Sequence, residues 1–196
     1  MIRKLAYFEG LTGLPNRRMM EDRLRKGLAQ AIRHGRSVAI LFLDLDDFKQ
    51  INDTLGHSVG DEVLKVAAQR LSACVRVGDT ASRSGGDEFI IVLPEIAAAD
   101  GVAIVAEKIL TALSVPIELV GKQLTVGASI GIAAYPVNGA DDLDALMKKA
   151  DQAMYQVKRA GGHGYRFYGH GDYRRSSPAT DWPPCCGSPN NSRIRL

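Results

Sequence analysis

The sequence predicts a single α/β domain, a sheet flanked by helices, and three observations carry that prediction. Ser37 to Leu43 is an almost continuous apolar run, as expected of a central strand covered on both faces. Long stretches with apolar residues at helical spacing alternate with short apolar runs bounded by turn residues. Arg83-Ser84-Gly85-Gly86-Asp87-Glu88-Phe89 reads as a tight hairpin that carries two adjacent carboxylates at its tip.

Composition agrees. The 196 residues are 45% hydrophobic and 24% charged, enough for one core and some tail. The formal charge of +3 is weak. Arg174, Arg175, Arg193 and Arg195 outnumber Asp172 and Asp181 in the tail, so the basic excess lies mostly outside the fold and gives no nucleic-acid signal. Cys74, Cys185 and Cys186 have no zinc spacing, and Cys74 on an apolar helical face reads as a small core residue. A reducing cytoplasm fits. No apolar run reaches the length of a membrane span, and the start is no signal peptide.

Along the chain, Met1 to Phe8 is a short lead, and Leu11 to Arg18 a turn-rich opening broken by Pro15 and Asn16. A helix over Arg17 to Arg33 buries Met20, Leu24, Leu28 and Ile32, and Gly35 ends it. The strand Ser37 to Leu43 ends in Asp44-Leu45-Asp46, where alternation sends both acids to one side. Capping of the next helix accounts for Asp46 or Asp47, but not for all three acids. A short helix follows with Phe48, Ile51 and Leu55 on one side, closed by Gly56. Gly60-Asp61-Glu62 opens a longer helix, in which Asp61 suits the first turn as a structural acid.

Arg76-Val77-Gly78-Asp79 leads to the hairpin and, on the residues alone, is a weak local ion pair. Phe89 to Leu93 is the outgoing strand, stopped by Pro94. A helix covers Ala97 to Leu113. Val115 to Leu119 and Gln123 to Ala134 are strands joined at Val120-Gly121-Lys122, and Gly127, Ser129 and Gly131 in the second point to a bulge or close backbone packing. The last helix, Asp141 to Ala160, turns Leu143, Leu146, Met147, Ala150, Met154 and Val157 inward. Gly161-Gly162 ends it, and Tyr165 to Tyr168 is a closing strand. The domain runs over 1–168, and 169–196 reads as a disordered tail rich in Pro, Ser, Asn and Arg.

Two strand ends that each present carboxylates can hold divalent cations, and Mg²⁺ takes a few hard oxygens from protein and the rest from phosphates. Such ions polarise phosphoryl groups and acidify an attacking hydroxyl. Metal-assisted phosphoryl or nucleotidyl transfer is the chemistry this pattern suggests. The glycine loop of P-loop enzymes is absent.

Here the sequence resembles a known family. Gly85-Gly86-Asp87-Glu88-Phe89 spells the signature of the GGDEF-type diguanylate cyclases. Leu11 to Arg18 looks like their opening motif. Asp44-Leu45-Asp46-Asp47-Phe48-Lys49, with Asn52-Asp53, Gly56-His57 and Gly60-Asp61, looks like their nucleotide segment. Ser129-Ile130-Gly131 and Ala150 to Tyr155 match later blocks in order. The likeness spans about Leu5 to Phe167.

The resemblance implies a palm-like, nucleotide-cyclase-type central mixed sheet flanked by helices. It implies that two GTP molecules, one on each subunit of a homodimer, condense to cyclic di-GMP and two pyrophosphates, each 3′-hydroxyl attacking the other α-phosphate. Asp44, Asp87 and the Leu45 carbonyl are then expected to hold two Mg²⁺ ions, with Mn²⁺ as the alternative. Asp87, Glu88 and Lys49 form the catalytic set, Glu88 assisting the metal site or deprotonating the hydroxyl. Phe48, through its N–H, with Lys49 and Lys158, meets phosphates. Asn52 and Asp61 read guanine, whose ring N–H and amine a carboxylate can accept together. His57 belongs to the same segment, with a structural role the stronger expectation. Arg76 and Asp79 stand where the family's inhibitory site carries Arg-x-x-Asp, and a guanidinium suits guanine edges and phosphates.

Three departures temper the resemblance. Glu9 stands where the opening motif usually has Asp. Gly162 stands where many members have Arg, and His163 replaces a frequent Asn, which implies one phosphate contact fewer. No sensory domain precedes Met1, so the expectation is a fragment of a longer protein or a chain weakly active alone. The competing expectation is a non-catalytic module that binds GTP or cyclic di-GMP and regulates a partner. A cyclase of relaxed base choice is a weaker one.

Overall fold

The computed structural model describes residues 6–96, 99–119, 121–138 and 142–169, so the tail beyond Gly169, the first five residues, Cys185 and Cys186 lie outside the described residues. A five-stranded sheet is ordered β2-β3-β1-β6-β7, from β1 (Ser37–Leu45), β2 (Thr80–Gly85), β3 (Glu88–Ile96), β6 (Ala128–Tyr135) and β7 (Gly164–Phe167). Every pairing is antiparallel except β6 with β7, so the sheet is mixed.

The central strand divides the core by alternation. Ala39, Leu41, Leu43 and Leu45 meet the apolar stripes of α3 (His57–Cys74) and α4 (Ala99–Ser114). Val38, Ile40 and Phe42 meet α1 (Arg17–His34) and α5 (Leu143–Arg159) on the other face. That odd–even split is the period of a strand with both faces covered. Continuing it, Asp44 and Asp46 emerge on the α5 face, as the sequence predicts. Gly131 brings that helix close: a Cβ there would run into the backbone of Ala150 and Met154. The close approach expected of the β6 glycines is therefore real, and it lowers the end of α5 onto the acidic end of β1.

Asn16 caps α1 by accepting the Met19 N–H at 3.1 Å, and Gly35 closes it in the left-handed region. Ile32 is a correction: it is 53% exposed, and the buried stripe passes through Ala31 instead. Four-residue steps advance roughly 400° around a helix, so such a row drifts by about 40° per step and leaves the core. Pro94 does not stop its strand; β3 continues to Ile96 through an irregular register opposite Ser37, where a missing N–H is tolerated. The segment Gln123 to Ala134 is two strands. Lys122–Leu124 (β5) pairs with Ile117–Leu119 (β4) in a separate ribbon, and the chain joins the main sheet only at Ala128. Cys74 is buried, its thiol directed to the Lys108 carbonyl, as a core residue should be.

Candidate active site

Two strand ends meet where β1 runs out beside the β2–β3 hairpin. Gly85 and Gly86 both have positive φ and make the turn. Asp44 is the cross-strand partner of Glu88, and the Leu45 N–H donates to the Asp87 carbonyl at 3.3 Å. Cross-strand partners project from the same face, so Asp44 and Glu88 stand side by side. The hairpin is braced from the domain opening. Glu9 accepts the Leu11 and Thr12 N–H groups and the Thr12 hydroxyl, and pairs with Arg83 at 3.0 Å. Arg83 in turn donates twice to the Gly86 carbonyl. Burial opposes ionisation of Glu9, but these donors outweigh it and pull its pKa down to about 2.

The other acids are held the opposite way. Burial raises the pKa of Asp44, the charges of Asp87 and Asp46 add to the rise, and Lys158 opposes it. Burial likewise raises Glu88, with Asp44, Asp87 and Asp151 adding repulsion. Lys158 Nζ lies 2.7 Å from Asp44 Oδ1, yet that buried oxygen has no hydrogen bond of acceptable angle. The ammonium pairs with this carboxylate by charge, and an ionised carboxylate keeps acceptor capacity for a further cation.

Asp44, Leu45, Phe48, Lys49, Asp87, Lys158 and His163 line one cavity of about 430 Å³. Among the described residues no three His, Cys, Asp or Glu side chains form a metal cage by themselves. Two carboxylates and a carbonyl suit Mg²⁺ nonetheless, because that ion keeps waters and substrate phosphates as its remaining ligands. The buried Asp44 carboxylate, set among other acids with the Lys158 ammonium beside it, is the observation that fits the group.

The expected base-reading residues stand beside this cavity without lining it. Phe48–Leu55 is helix α2, and α3 begins at once after Gly56. The Asn52 carboxamide and the Phe48 ring lie against Gly60, where any Cβ would overlap Asn52. That contact holds Asn52 against the residue that precedes Asp61. Asp61 is a correction: α3 starts at His57, not at Gly60, so Asp61 lies beyond the first turn and caps nothing. Neither Asp46 nor Asp47 caps α2 through its side chain either. Asp46 instead accepts Ser129 Oγ at 2.6 Å and the His163 N–H at 2.8 Å. His57 is exposed, without a hydrogen-bond partner among the described residues.

Arg76 and Asp79 are far from the cavity along the sheet, beyond the opposite end of β2. Asp79 accepts the Arg76 N–H and Nε–H at 3.1 Å each. Arg76 Nη2 donates to the carbonyls of Pro94 and Glu95, so the pair is more than an isolated surface contact. The guanidinium is still mostly exposed and borders a cavity of about 340 Å³ with Cys74, Leu93 and Val102.

Sequence reasoning assigned no role to Arg83 or Asp151, read Asp46 only as a strand-end acid or a helix cap, and noted His163 only as a departure from a frequent Asn. An arginine before the paired glycines was a visible signal for the first. Asp46 is local to Asp44, whereas Asp151 and His163 come beside the acids only through the approach of α5 and of the turn after it.

Comparison with known proteins agrees with this geometry. The family description "Diguanylate cyclase, GGDEF domain" matches residues 6–164, and the chain belongs to that family. It is 44% identical over 165 residues to the bifunctional diguanylate cyclase/cyclic di-GMP phosphodiesterase MucR of Pseudomonas aeruginosa, covering 84% of this chain and 24% of MucR. The chain thus spans about a quarter of the length of that relative. The solved GGDEF domain of TpbB from P. aeruginosa superposes with a TM-score of 0.80 at 40% identity, covering 83% of this chain and 94% of that one. The GGDEF domain of DgcB from Caulobacter crescentus, solved with cyclic di-GMP, superposes with a TM-score of 0.80 at 31% identity, covering 87% and 97%. The palm-like, nucleotide-cyclase-type fold expected from the signature is the fold observed. No helix among the described residues is long and apolar enough to cross a membrane.

Proposed function

We propose that this chain is a diguanylate cyclase, condensing two GTP into cyclic di-GMP and two pyrophosphates. Asp44 carries the reading: a buried carboxylate paired with Lys158, beside Glu88 and at a cavity that also holds Lys49 and Asp87. Asp44, Asp87 and the Leu45 carbonyl would hold two Mg²⁺, or Mn²⁺, which when bound polarise the phosphoryl group and acidify the hydroxyl.

The chain's own residues supply the rest. Glu88, its affinity for protons raised by burial and neighbouring acids, takes the proton of the attacking 3′-hydroxyl. The new bond joins that oxygen to the α-phosphorus of the second nucleotide, and the α–β phosphoanhydride bond breaks. Lys49 and Lys158 offset the charge of the departing pyrophosphate, with the first N–H groups of α2 at Phe48 beside them. Asp61 and Asn52 accept and donate at the guanine edge, a pairing adenine leaves unmet; His57 stands at the same corner. Each subunit holds one GTP, so the reaction needs a homodimer, and a preceding sensory domain in a longer protein would promote it. Arg76 and Asp79 bind the product and slow the enzyme. GTP supply and the free Cys74 thiol suit the cytoplasm.

The test is purified protein with GTP and Mg²⁺, assayed for cyclic di-GMP across protein concentrations. A rate that rises faster than linearly with protein supports the dimeric cyclase. GTP binding with no product formed at any concentration replaces it with the binding module.

A further inference from the structure

His163 is an oddity of backbone and place. Gly161, Gly162 and His163 have φ of 106°, 69° and 55°, so three successive residues are left-handed and only the last has a side chain. A non-glycine residue persists there only where its surroundings over-determine it. The His163 N–H is fixed on Asp46 Oδ2 at 2.8 Å, and the other Asp46 oxygen is fixed by Ser129 Oγ at 2.6 Å. The ring lies over Gly127, where any Cβ would overlap the imidazole. Two strands and a loop therefore position one exposed imidazole (57% accessible).

That imidazole lines the same cavity as Lys49, Lys158 and Asp87. Nδ1 is 3.7 Å from Asp46 Oδ2, too far for a hydrogen bond, so the backbone link fixes the residue and leaves the tautomer free. Nε2 has no partner among the described residues and can carry a proton in the neutral or the charged ring. Sheet order gives the direction. Glu88 is on β3, Asp44 on β1, Ser129 on β6 and His163 just before β7, so the line Glu88, Asp44, Asp46, His163 crosses the sheet away from the proton acceptor. With an α-phosphate at the Asp44 end of this cavity, His163 and Lys158 are the donors available to the phosphates on the side away from Glu88. Gly162 offers no competing side chain, and one added there would crowd the Asp46 carboxylate at about 3.0 Å.

We propose that His163 is a phosphate-binding residue that donates Nε2–H to the pyrophosphate end of the bound nucleoside triphosphate, with Asp46 and Ser129 as its positioning residues. The assignment rests on reading the cavity as the triphosphate site. Its recognition element is an anion, and the base contributes nothing to it.

The experiment is calorimetric titration of wild type, His163→Gly and Ser129→Ala with a non-hydrolysable GTP analogue and with GMP, both with Mg²⁺. Glycine suits φ of 55°, so His163→Gly keeps the fold, and its melting temperature stays at or above that of wild type. The wild type prefers the triphosphate. His163→Gly loses about tenfold in analogue affinity with GMP affinity unchanged, as expected for one charge-assisted hydrogen bond. Ser129→Ala loses two- to threefold in the same direction. A wild type without triphosphate preference, or a glycine variant with that preference intact, overturns the proposal. Turnover separates it from the cyclase reading: intact selectivity with no cyclic di-GMP formed sinks the cyclase alone, and product formed with selectivity unchanged in His163→Gly sinks this assignment alone.

Discussion

Asp44 and Glu9 are two acids tied to the same hairpin, and they are held in opposite ways. Glu9 has four partners, three of them local to the opening turn and one the Arg83 guanidinium, and its pKa falls to about 2. Asp44 is buried among other acids, its pKa is raised, and one of its oxygens lacks an aligned donor. One carboxylate serves the fold; the other is kept by the fold against its preference. A scaffold that carries such a group is a functional-site signal, because stability alone would replace it by a neutral or apolar residue.

Breaking the comparison at Asp44 should have the largest effect. Asp44→Asn is expected to lower cyclic di-GMP formation by about a thousandfold or more. The same substitution should raise stability by roughly 1 kcal/mol at pH 7, read by thermal melting. The sign follows from linkage. A carboxyl raised in the folded state binds protons more tightly there than when unfolded, so stability is highest below its unfolded pKa and declines as pH rises through the folded one. Asparagine removes that decline. Asp44→Asn melting below wild type would mean that its acid is structural.

Base choice comes next. Asp61→Asn and Asn52→Ala should each cut the preference for GTP over ATP by about a hundredfold in competition assays. Gly60→Ala should act in the same direction by displacing Asn52. Unchanged discrimination in all three would detach the α2–α3 corner from guanine reading.

At Glu9 the expected loss is in stability. Glu9→Gln should cost about 1–2 kcal/mol at pH 7. A lowered carboxyl contributes stability that is present above the unfolded pKa near 4.5 and lost as pH falls toward about 2. Denaturant melts across that window should show a steeper acid loss in wild type than in Glu9→Gln; parallel curves would contradict the Arg83 link.

The smallest stability effect is expected at Arg76. Arg76→Ala should cost about 1 kcal/mol: the guanidinium is exposed, but the Asp79 carboxylate it meets is 4% accessible and keeps only the Arg76 N–H. It should nonetheless remove calorimetric binding of cyclic di-GMP and release product inhibition. Undiminished binding would reassign the pair to a purely local clasp.

Much of this was readable in one dimension. The apolar run before Asp44 fixed the central strand and, by period two, the face on which Asp44 and Asp46 emerge. The paired glycines fixed the hairpin that brings Asp87 and Glu88 beside them. Ile32 was misplaced because a four-residue repeat is not the helix period, and the strand from Gln123 was run together because periodicity does not reveal which sheet a strand joins. Asp151 stayed without a role, and His163 was noted only as a departure from a frequent Asn, because their approach to the acids depends on how α5 and the turn after it sit on the sheet, a tertiary fact without a local signature. The brace from Glu9 through Arg83 to Gly86 spans more than seventy residues of sequence, beyond the reach of any local pattern.

The central claim, that the buried Asp44 carboxylate is kept for catalysis, is tested most directly by one assay. Wild type and Asp44→Asn, at equal concentration with GTP and Mg²⁺, are compared for cyclic di-GMP by chromatography. The account predicts product from wild type and none above background from the folded asparagine variant. Equal product from both would contradict it.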